Sequence, residues 1–380
     1  MNGKKELTTW EAACIITGYG IGSGVMSMPY LAEKTGMLSA FLILLVAYAA
    51  SYVLHMMIAD LSLKTGDGGQ IISCLNRFLF RGKWKTVLTV SFFVLMLLIL
   101  FTNLTGYITG SGEILTGLTG LPLPVTMIIF YGLAAVVVLF GLKAVGISEK
   151  YTILVIYLLL AVLAVASFLN VRNEVPLFKA DFRAILAYYG MAMFSLSAFF
   201  SVPQAVTGLS GDPKKIRKAV SLGFLNNLVM IVIINYCSLL SSETITEVAM
   251  TGWSRGIGLW AEVIGGLFTV LAMLTTYWSL SLALSDIVTE TLKTRAKLSW
   301  IIATLPSLLI AFLNPSGFMG IMRTAGGLVS IMIAVMVVPS FIRSRKEVPG
   351  SLLRHNGSVV CALIILAYLL MGIGSIVPVS

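Results

Sequence analysis

Ser23-Gly-Val-Met-Ser-Met-Pro29 recurs in pattern as Ser197-Ala-Phe-Phe-Ser-Val-Pro203 in the second half of the chain. Both read Ser-x-x-x-Ser-x-Pro, both place a small residue after the first serine, and both lie inside long apolar stretches. A helix interrupted within hydrocarbon leaves backbone groups without partners at several kcal/mol each. Irregular backbone therefore persists there only where it is buried in protein or lines a cavity. Matching interruptions in the two halves of a chain are the strongest sequence pointer to a membrane carrier's binding site. Chance recurrence is the alternative, since Ser, Gly and Pro are common in membrane helices, and topology decides between the two.

Of 380 residues, 58% are hydrophobic and 11% charged, with a mean hydropathy of +0.97. A soluble domain carries about 25% charged residues, so the composition specifies an all-α polytopic membrane protein. Eleven stretches approach or exceed the roughly 20 apolar residues that cross a bilayer. They cover residues 10–33, 38–63, 86–110, 124–142, 151–169, 185–207, 216–240, 259–289, 298–313, 317–342 and 359–378. The start, Met1-Asn-Gly-Lys-Lys-Glu6, leads into a long span with no short apolar region and cleavage site, so no cleavable signal peptide is expected.

The net charge of +10 follows the membrane's charge rule rather than marking a nucleic-acid partner. With the N-terminus placed in the cytoplasm, twenty Lys and Arg fall in inner segments and five in outer ones, and Arg323 alone lies within a span. Eleven spans then put the C-terminus outside. The first span runs outward and the sixth inward, so the two breaks sit in oppositely directed helices, as an inverted-topology repeat requires. Residues 1–170 form the first repeat of five spans, 181–342 the second, and 355–380 an added helix. Thr8-Thr-Trp-Glu11 is a capping box before the first span. Asp212-Pro213 is an N-cap with a first-turn proline before the seventh. The amphipathic stretch 69–80 is expected along the inner surface, and 254–264 as a short outer helix. Cys14, Cys74, Cys237 and Cys361 show no metal or redox spacing.

Gly18-Tyr-Gly-Ile-Gly-Ser-Gly24 carries glycine at every second position. Where this helix opens, the start of its outer half offers free N–H groups and a positive dipole end that suit a carboxylate. The carbonyls ending its inner half suit an ammonium or a cation. Phe194-Ser-Leu-Ser-Ala198 repeats the arrangement. A site with both ends fits a zwitterion, an amino acid. The alternative for the glycines is close helix packing.

The stretch 16–30, followed by Gly36, resembles the first helix of the amino acid/auxin permeases, within the amino acid–polyamine–organocation superfamily. Ser201-Val-Pro-Gln204 and Pro213-Lys-Lys-Ile-Arg-Lys218 resemble that family too. Leu274-Thr-Thr-Tyr-Trp-Ser-Leu-Ser-Leu-Ala-Leu-Ser-Asp286 is similar to its bacterial hydroxy- and aromatic-amino-acid permease branch. The resemblance implies a LeuT-type fold of five plus five inverted helices with the first and sixth broken. It also implies cation-coupled amino acid transport through a bacterial-type inner membrane. Gly-Ser-Gly-Val-Met-Ser-Met-Pro here departs from the more usual Gly-x-Gly-Ile-Leu-x-x-Pro. Gly20, Gly22, Ser23 and Gly24 are implied to face the substrate's carboxylate and amine. Phe194, Ser195, Ser197 and Ala198 are implied to line the other side, with Phe199 close by. Asn103 and Tyr107 share a helix face and are expected in the site, or else bonded to neighbouring helices. Thr275, Thr276 and Ser279, against carbonyls near Gly18 and Ile21, are candidates for a sodium site, with bonding to their own backbone as the alternative.

Sodium is the expected coupling ion and protons the alternative; no other cofactor is expected. Lys150 stands at the start of the fifth span, and 151–166 holds no ionisable group except Tyr, which favours sodium. His55, deep in the second span, is the competing proton candidate, or a structural histidine. Arg323 is a gate candidate, or an arginine reaching the outer surface. The substrate is expected to be a small neutral or aromatic amino acid, since no acidic residue stands near the breaks. Met26 and Met28 alone do not make a metal carrier, and no pairing of nucleophile and base suggests an enzyme.

Overall fold

Thr8 opens the first helix as the sequence requires. Its amide donates to Glu11 Oε2 at 2.8 Å, and the Glu11 amide donates to Thr8 Oγ1 at 3.2 Å. The computed structural model describes residues 6–66, 68–179, 181–245, 249–313, 318–353 and 357–377, without the side chains of 23, 251 and 318–329. Among them no strand occurs. The helices are α1 (Thr9–Gly20), α2 (Ser23–Thr35), α3 (Met37–Lys64), α4 (Ile71–Phe78), α5 (Lys85–Thr119), α6 (Leu123–Leu139), α7 (Leu142–Leu169) and α8 (Phe182–Ser195). There follow α9 (Ser201–Gly208), α10 (Pro213–Ser241), α11 (Ala249–Ile257), α12 (Leu259–Leu292), α13 (Ala296–Leu313), α14 (Phe318–Glu347) and α15 (Ser358–Ile376).

Among the described residues the helices fall into eleven spans, because α1 and α2 are the halves of the first, and α8 and α9 the halves of the sixth. Both breaks fall where the sequence places them. These two spans form the centre: α1 packs on α7, α9, α10 and α12, and α2 packs on α8 and α10. The added helix α15 lies against α8 and α14. Its contact on α8 is close enough that a Cβ at Gly190 would stand 2.8 Å from the Gly374 carbonyl carbon.

Local chemistry sets the boundaries. Asp212 caps α10 through the amides of Lys214 (2.9 Å) and Lys215 (3.2 Å). The short helix α4 buries Ile71, Ile72, Cys74, Leu75 and Phe78 along one face. The outer helix expected at 254–264 instead ends at Ile257, because Gly258 adopts φ +144° and restarts the chain as α12. The fifth span is also longer than hydropathy suggests. Gly141, at φ +81°, starts α7 at Leu142, so Lys143, Glu149 and Lys150 belong to the helix rather than to a loop.

Both ends of the broken helices are tied down. On the N-terminal side Leu7 donates to the Gly208 carbonyl at 2.7 Å, and Lys143 pairs with Glu11 at 2.6 Å. On the far side Met37 and Leu38 donate to the carbonyls of Pro176 and Leu177, and Lys179 pairs with Glu33. A buried pair, Lys64 and Asp60 at 2.7 Å, anchors the loop after α14, where the Leu352 amide donates to Asp60 Oδ1 at 2.7 Å.

Candidate functional site

Helix leaves off at Gly20 in the first span and resumes at Ser23; in the sixth it leaves off at Ser195 and resumes at Ser201. The starts of α2 and α9 therefore face the centre with amides that have no intrahelical partner, and the ends of α1 and α8 with carbonyls in the same condition. Two positive and two negative helix ends converge at mid-protein. The sixth-span break is braced from α3. His55 Nδ1 donates to the Ser51 carbonyl at 2.6 Å, and its Nε2 accepts from the Ala198 amide at 2.8 Å. The carbonyl can only accept, so the proton sits on Nδ1. The ring lies between Phe199 (centroids 4.8 Å apart) and Phe224 (4.7 Å). This geometry gives His55 a structural task, since a proton on Nε2 would remove the bond that holds the break.

Between the breaks lies a small cavity of about 40 Å³. Gly20, Gly22, Gly24, Asn103, Tyr107, Phe194, Ser195, Ser197 and Phe199 line it together. Ala198 is buried at the break with its amide on His55. Ser23 begins α2, but its side chain lies outside the described residues, as does that of Arg323 in α14. Tyr19, Leu100, Phe200, Leu280 and Ser330 also line the cavity and escaped the sequence reading. The aromatic residues among them stand beside the glycines and serines that drew attention to the breaks. Among the described residues no charged side chain faces this space. Ser195 Oγ is buried there without a hydrogen-bond partner, and Asn103 turns its amide back to the Ile99 carbonyl at 3.1 Å.

Alternate glycines let five neighbours approach the first break. A Cβ at Gly22 would stand 2.7 Å from Thr276 Oγ1 and 3.0 Å from Tyr107 Oη, and one at Gly24 would stand 2.7 Å from Ser195 Oγ. A Cβ at Gly20 would collide with Asn227 Nδ2, and one at Gly18 with Glu149 Oε2. Both close packing and exposure of the main chain are thus served by the same residues.

On the N-terminal side of the cavity, α12 grips α1 with hydroxyls. Thr275 donates to the Gly18 carbonyl at 3.2 Å and Thr276 to the same oxygen at 2.9 Å. Ser279 donates to Glu149 Oε1 at 3.0 Å. None of the three donates to Ile21, which caps α1 with its amide on the Thr17 carbonyl at 3.0 Å. Thr275 and Thr276 also bond the Ala272 carbonyl of their own helix. Glu149 is the residue that sequence reading missed. It stands two positions before the expected start of the fifth span, and an adjacent lysine made that stretch read as a loop. A carboxyl within a turn of a long apolar run was the available signal.

Residues 5–376 match the tryptophan/tyrosine permease family. The chain belongs to that family. This fits the superfamily that the first, sixth and eighth spans resemble, and it makes the protein a membrane transporter rather than an enzyme. A sequence search among curated proteins gives no match. Among solved structures the chain is similar to MhsT in complex with L-phenylalanine: TM-score 0.68, 14% identity, 96% of this chain and 98% of that one covered. It is also similar to Mhp1, a nucleobase-cation-symport-1 family transporter in a closed conformation with bromovinylhydantoin bound. There the TM-score is 0.65 and the identity 13%, with 99% and 93% covered. At these identities the likeness is one of fold, the LeuT type of five plus five helices with the first and sixth broken.

Proposed function

We propose that this permease carries large neutral amino acids, chiefly aromatic ones, inward across a bacterial cytoplasmic membrane by alternating access, together with a coupling cation. One observation carries this reading. A cavity that no charged side chain lines among the described residues lies between two positive and two negative helix ends, and Tyr19, Tyr107, Phe194, Phe199 and Phe200 form much of its wall. The helix ends neutralise a zwitterion's carboxylate and ammonium. The aromatic wall then takes an apolar or aromatic side chain, whose ring gains from offset or edge contacts. A cationic or anionic side chain would find no partner and would be rejected by its desolvation. The family's description and the phenylalanine bound to MhsT are consistent with that class. The excess of Lys and Arg on inner segments supports a cytoplasmic N-terminus and an outer C-terminus.

Thermal unfolding of the purified protein with each of the twenty amino acids tests the assignment. A ligand bound only by the folded state stabilises it by about 2.7 kcal/mol at a hundred times its Kd. Tryptophan, tyrosine and phenylalanine are expected to raise the melting temperature, and lysine and glutamate to leave it unchanged. A set of shifts led by charged amino acids, or no shift with any, would refute the reading.

A further inference from the structure

A second and larger cavity, of about 610 Å³, lies among the ends of α6, α9 and α12 and the start of α13. That size is within the roughly 300–1,000 Å³ common for small-molecule sites. It is on the side of the protein that bears the N-terminus, since Thr207 in its wall adjoins Gly208, whose carbonyl accepts from Leu7. It also neighbours the cavity between the breaks. Phe200 and Leu280 line the first; Gln204 and Leu282, a turn or less further along the same two spans, line the second. Asp286 and Glu290 stand four apart on α12 and so share a face. Gln70 holds both: its backbone amide donates to the two Glu290 carboxylate oxygens at 3.2 Å, and its side chain is hydrogen-bonded to Asp286. Gln204 Nε2 is committed to the Ser279 carbonyl at 2.9 Å. Two acceptors remain in the lining. Gln70 and Gln204 are only 2% and 1% exposed, and among the described residues neither Oε1 has a hydrogen-bond partner. A buried acceptor without a donor is costly, so the two oxygens call for a ligand rich in N–H. Opposite charge is present too, on the exposed Lys297 at the start of α13. Neither Asp286 nor Lys297 forms an ion pair among the described residues. Trp300, held by its own bond to the Ala135 carbonyl at 2.9 Å, forms an apolar wall with Val138, Leu142 and Leu282.

We propose that this vestibule is a second amino acid site, occupied by substrate on its way between the break cavity and the N-terminal side; the proposal rests on the reading of the chain as a carrier of large neutral amino acids. An ammonium has three N–H donors. The vestibule offers three acceptors for them, Gln70 Oε1, Gln204 Oε1 and the Asp286 carboxylate. Lys297 takes the substrate's carboxylate, and the apolar wall around Trp300 takes its side chain. Glu290 is a positioning residue: the Gln70 amide and the Ser73 hydroxyl already donate to it, and it holds Gln70 and the start of α4 against α12. A bare metal cation would also suit carboxylate and amide oxygens, but it would be repelled by Lys297 and would leave the Trp300 wall unused. A zwitterion with a large side chain uses all three parts. The selection made at the breaks by helix ends is thus repeated here by side chains, and the ammonium leaving the break carbonyls finds a second set of acceptors about one turn away.

Equilibrium dialysis of the purified full chain with saturating radiolabelled L-tryptophan counts the sites. Wild type is expected to bind two molecules per chain, Gly22→Leu one, and Asp286→Asn one. A second variant tests the other end of the ligand without touching the interior. In the Gly22→Leu background, where the vestibule alone binds, Lys297→Gln is expected to weaken tryptophan about threefold, as befits an exposed charge. Its affinity for tryptamine, which lacks the carboxylate, is expected to stay the same. Equal effects on tryptophan and tryptamine would overturn the proposal, as would two tryptophans bound by Asp286→Asn. A single site in wild type that disappears in Gly22→Leu would overturn it too, while leaving the substrate reading intact. A single site that survives Gly22→Leu and disappears in Asp286→Asn would support the vestibule and refute the break cavity as the substrate site. No tryptophan bound by wild type would refute both.

Discussion

Replacing His55 separates a brace from a proton carrier. His55→Leu removes the acceptor for the Ala198 amide, a bond of 2.8 Å at the sixth-span break. A buried donor left unpaired costs about 1–3 kcal/mol. The ring's contacts with Phe199 and Phe224 add about 0.5–1.5 kcal/mol, part of which leucine regains by burial. Ala198 adjoins Phe199 and Ser197, which line the substrate cavity, so the loss falls on the bound geometry as well as on the fold. At about 1.4 kcal/mol per tenfold, the amide term alone weakens tryptophan binding by roughly 5- to 150-fold. Melting temperature falls by a few degrees. The assay is calorimetric affinity on purified protein at two pH values either side of neutrality, for His55→Leu and His55→Gln. The glutamine amide oxygen can occupy the place of Nε2 and accept from Ala198, yet it does not titrate. A brace is therefore rescued by glutamine in affinity and in gradient-driven accumulation alike. Unchanged affinity and melting temperature in His55→Leu would refute the argument. So would a His55→Gln variant that binds normally but no longer accumulates substrate.

Gly22→Leu places a side chain where even a Cβ would meet Thr276 and Tyr107 at 2.7 and 3.0 Å; tryptophan binding should disappear while the protein still inserts, and retained affinity would remove Gly22 from the site. Thr276→Ala removes the 2.9 Å bond to the Gly18 carbonyl, worth about 1 kcal/mol; α1 should open inward more often, so Cys14, kept as the sole cysteine, should react faster with a thiol reagent added from the inner side. Asp60→Ala leaves Lys64 without its partner and the Leu352 amide without its acceptor; stability should fall by about 3–5 kcal/mol, read by thermal unfolding, with tryptophan affinity in the surviving folded fraction unchanged.

The architecture was legible because the bilayer imposes it. Apolar length sets the spans, and the recurring Ser-x-x-x-Ser-x-Pro marks two helices that a membrane would not otherwise tolerate broken. The helix-end polarity of the site follows from those breaks alone. What escaped was long-range. Glu149 and Gly18 are far apart in sequence, and nothing local in Gly146-Ile-Ser-Glu149 states that α12 and α1 will close over it. A hydropathy window starts the fifth span after this residue, because Lys143, Glu149 and Lys150 lower the average there. Lys143 is satisfied by Glu11 across the helix pair, which is a tertiary fact. Tyr19 and Phe200 were missed for a related reason: an aromatic beside a break reads as ordinary packing until its neighbours are known. Their rings lie 6.4 Å apart at the cavity wall.

The inner half of the first span is held by two kinds of contact. Most of the apolar contact between α1 and its neighbours is non-directional and survives small shifts. The polar contacts are discrete: Leu7 to Gly208, Glu11 to Lys143, Thr275 and Thr276 to Gly18, Ser279 to Ile15, Asn227 to Ile16, and Thr17 with Gly223 and Asn226. Those at the start of α1 lie towards the N-terminal surface, where water can replace them at little cost. Those at Gly18 lie in the dry interior, where an unpaired group is expensive. A ligand shifts a two-state element only by its differential affinity for the two states. A substrate at Gly20 and Gly22 and a coupling cation held near Gly18 would act on opposite sides of the same few backbone atoms, and each would favour the seated state by strengthening what the other also strengthens, the linkage that coupled transport requires.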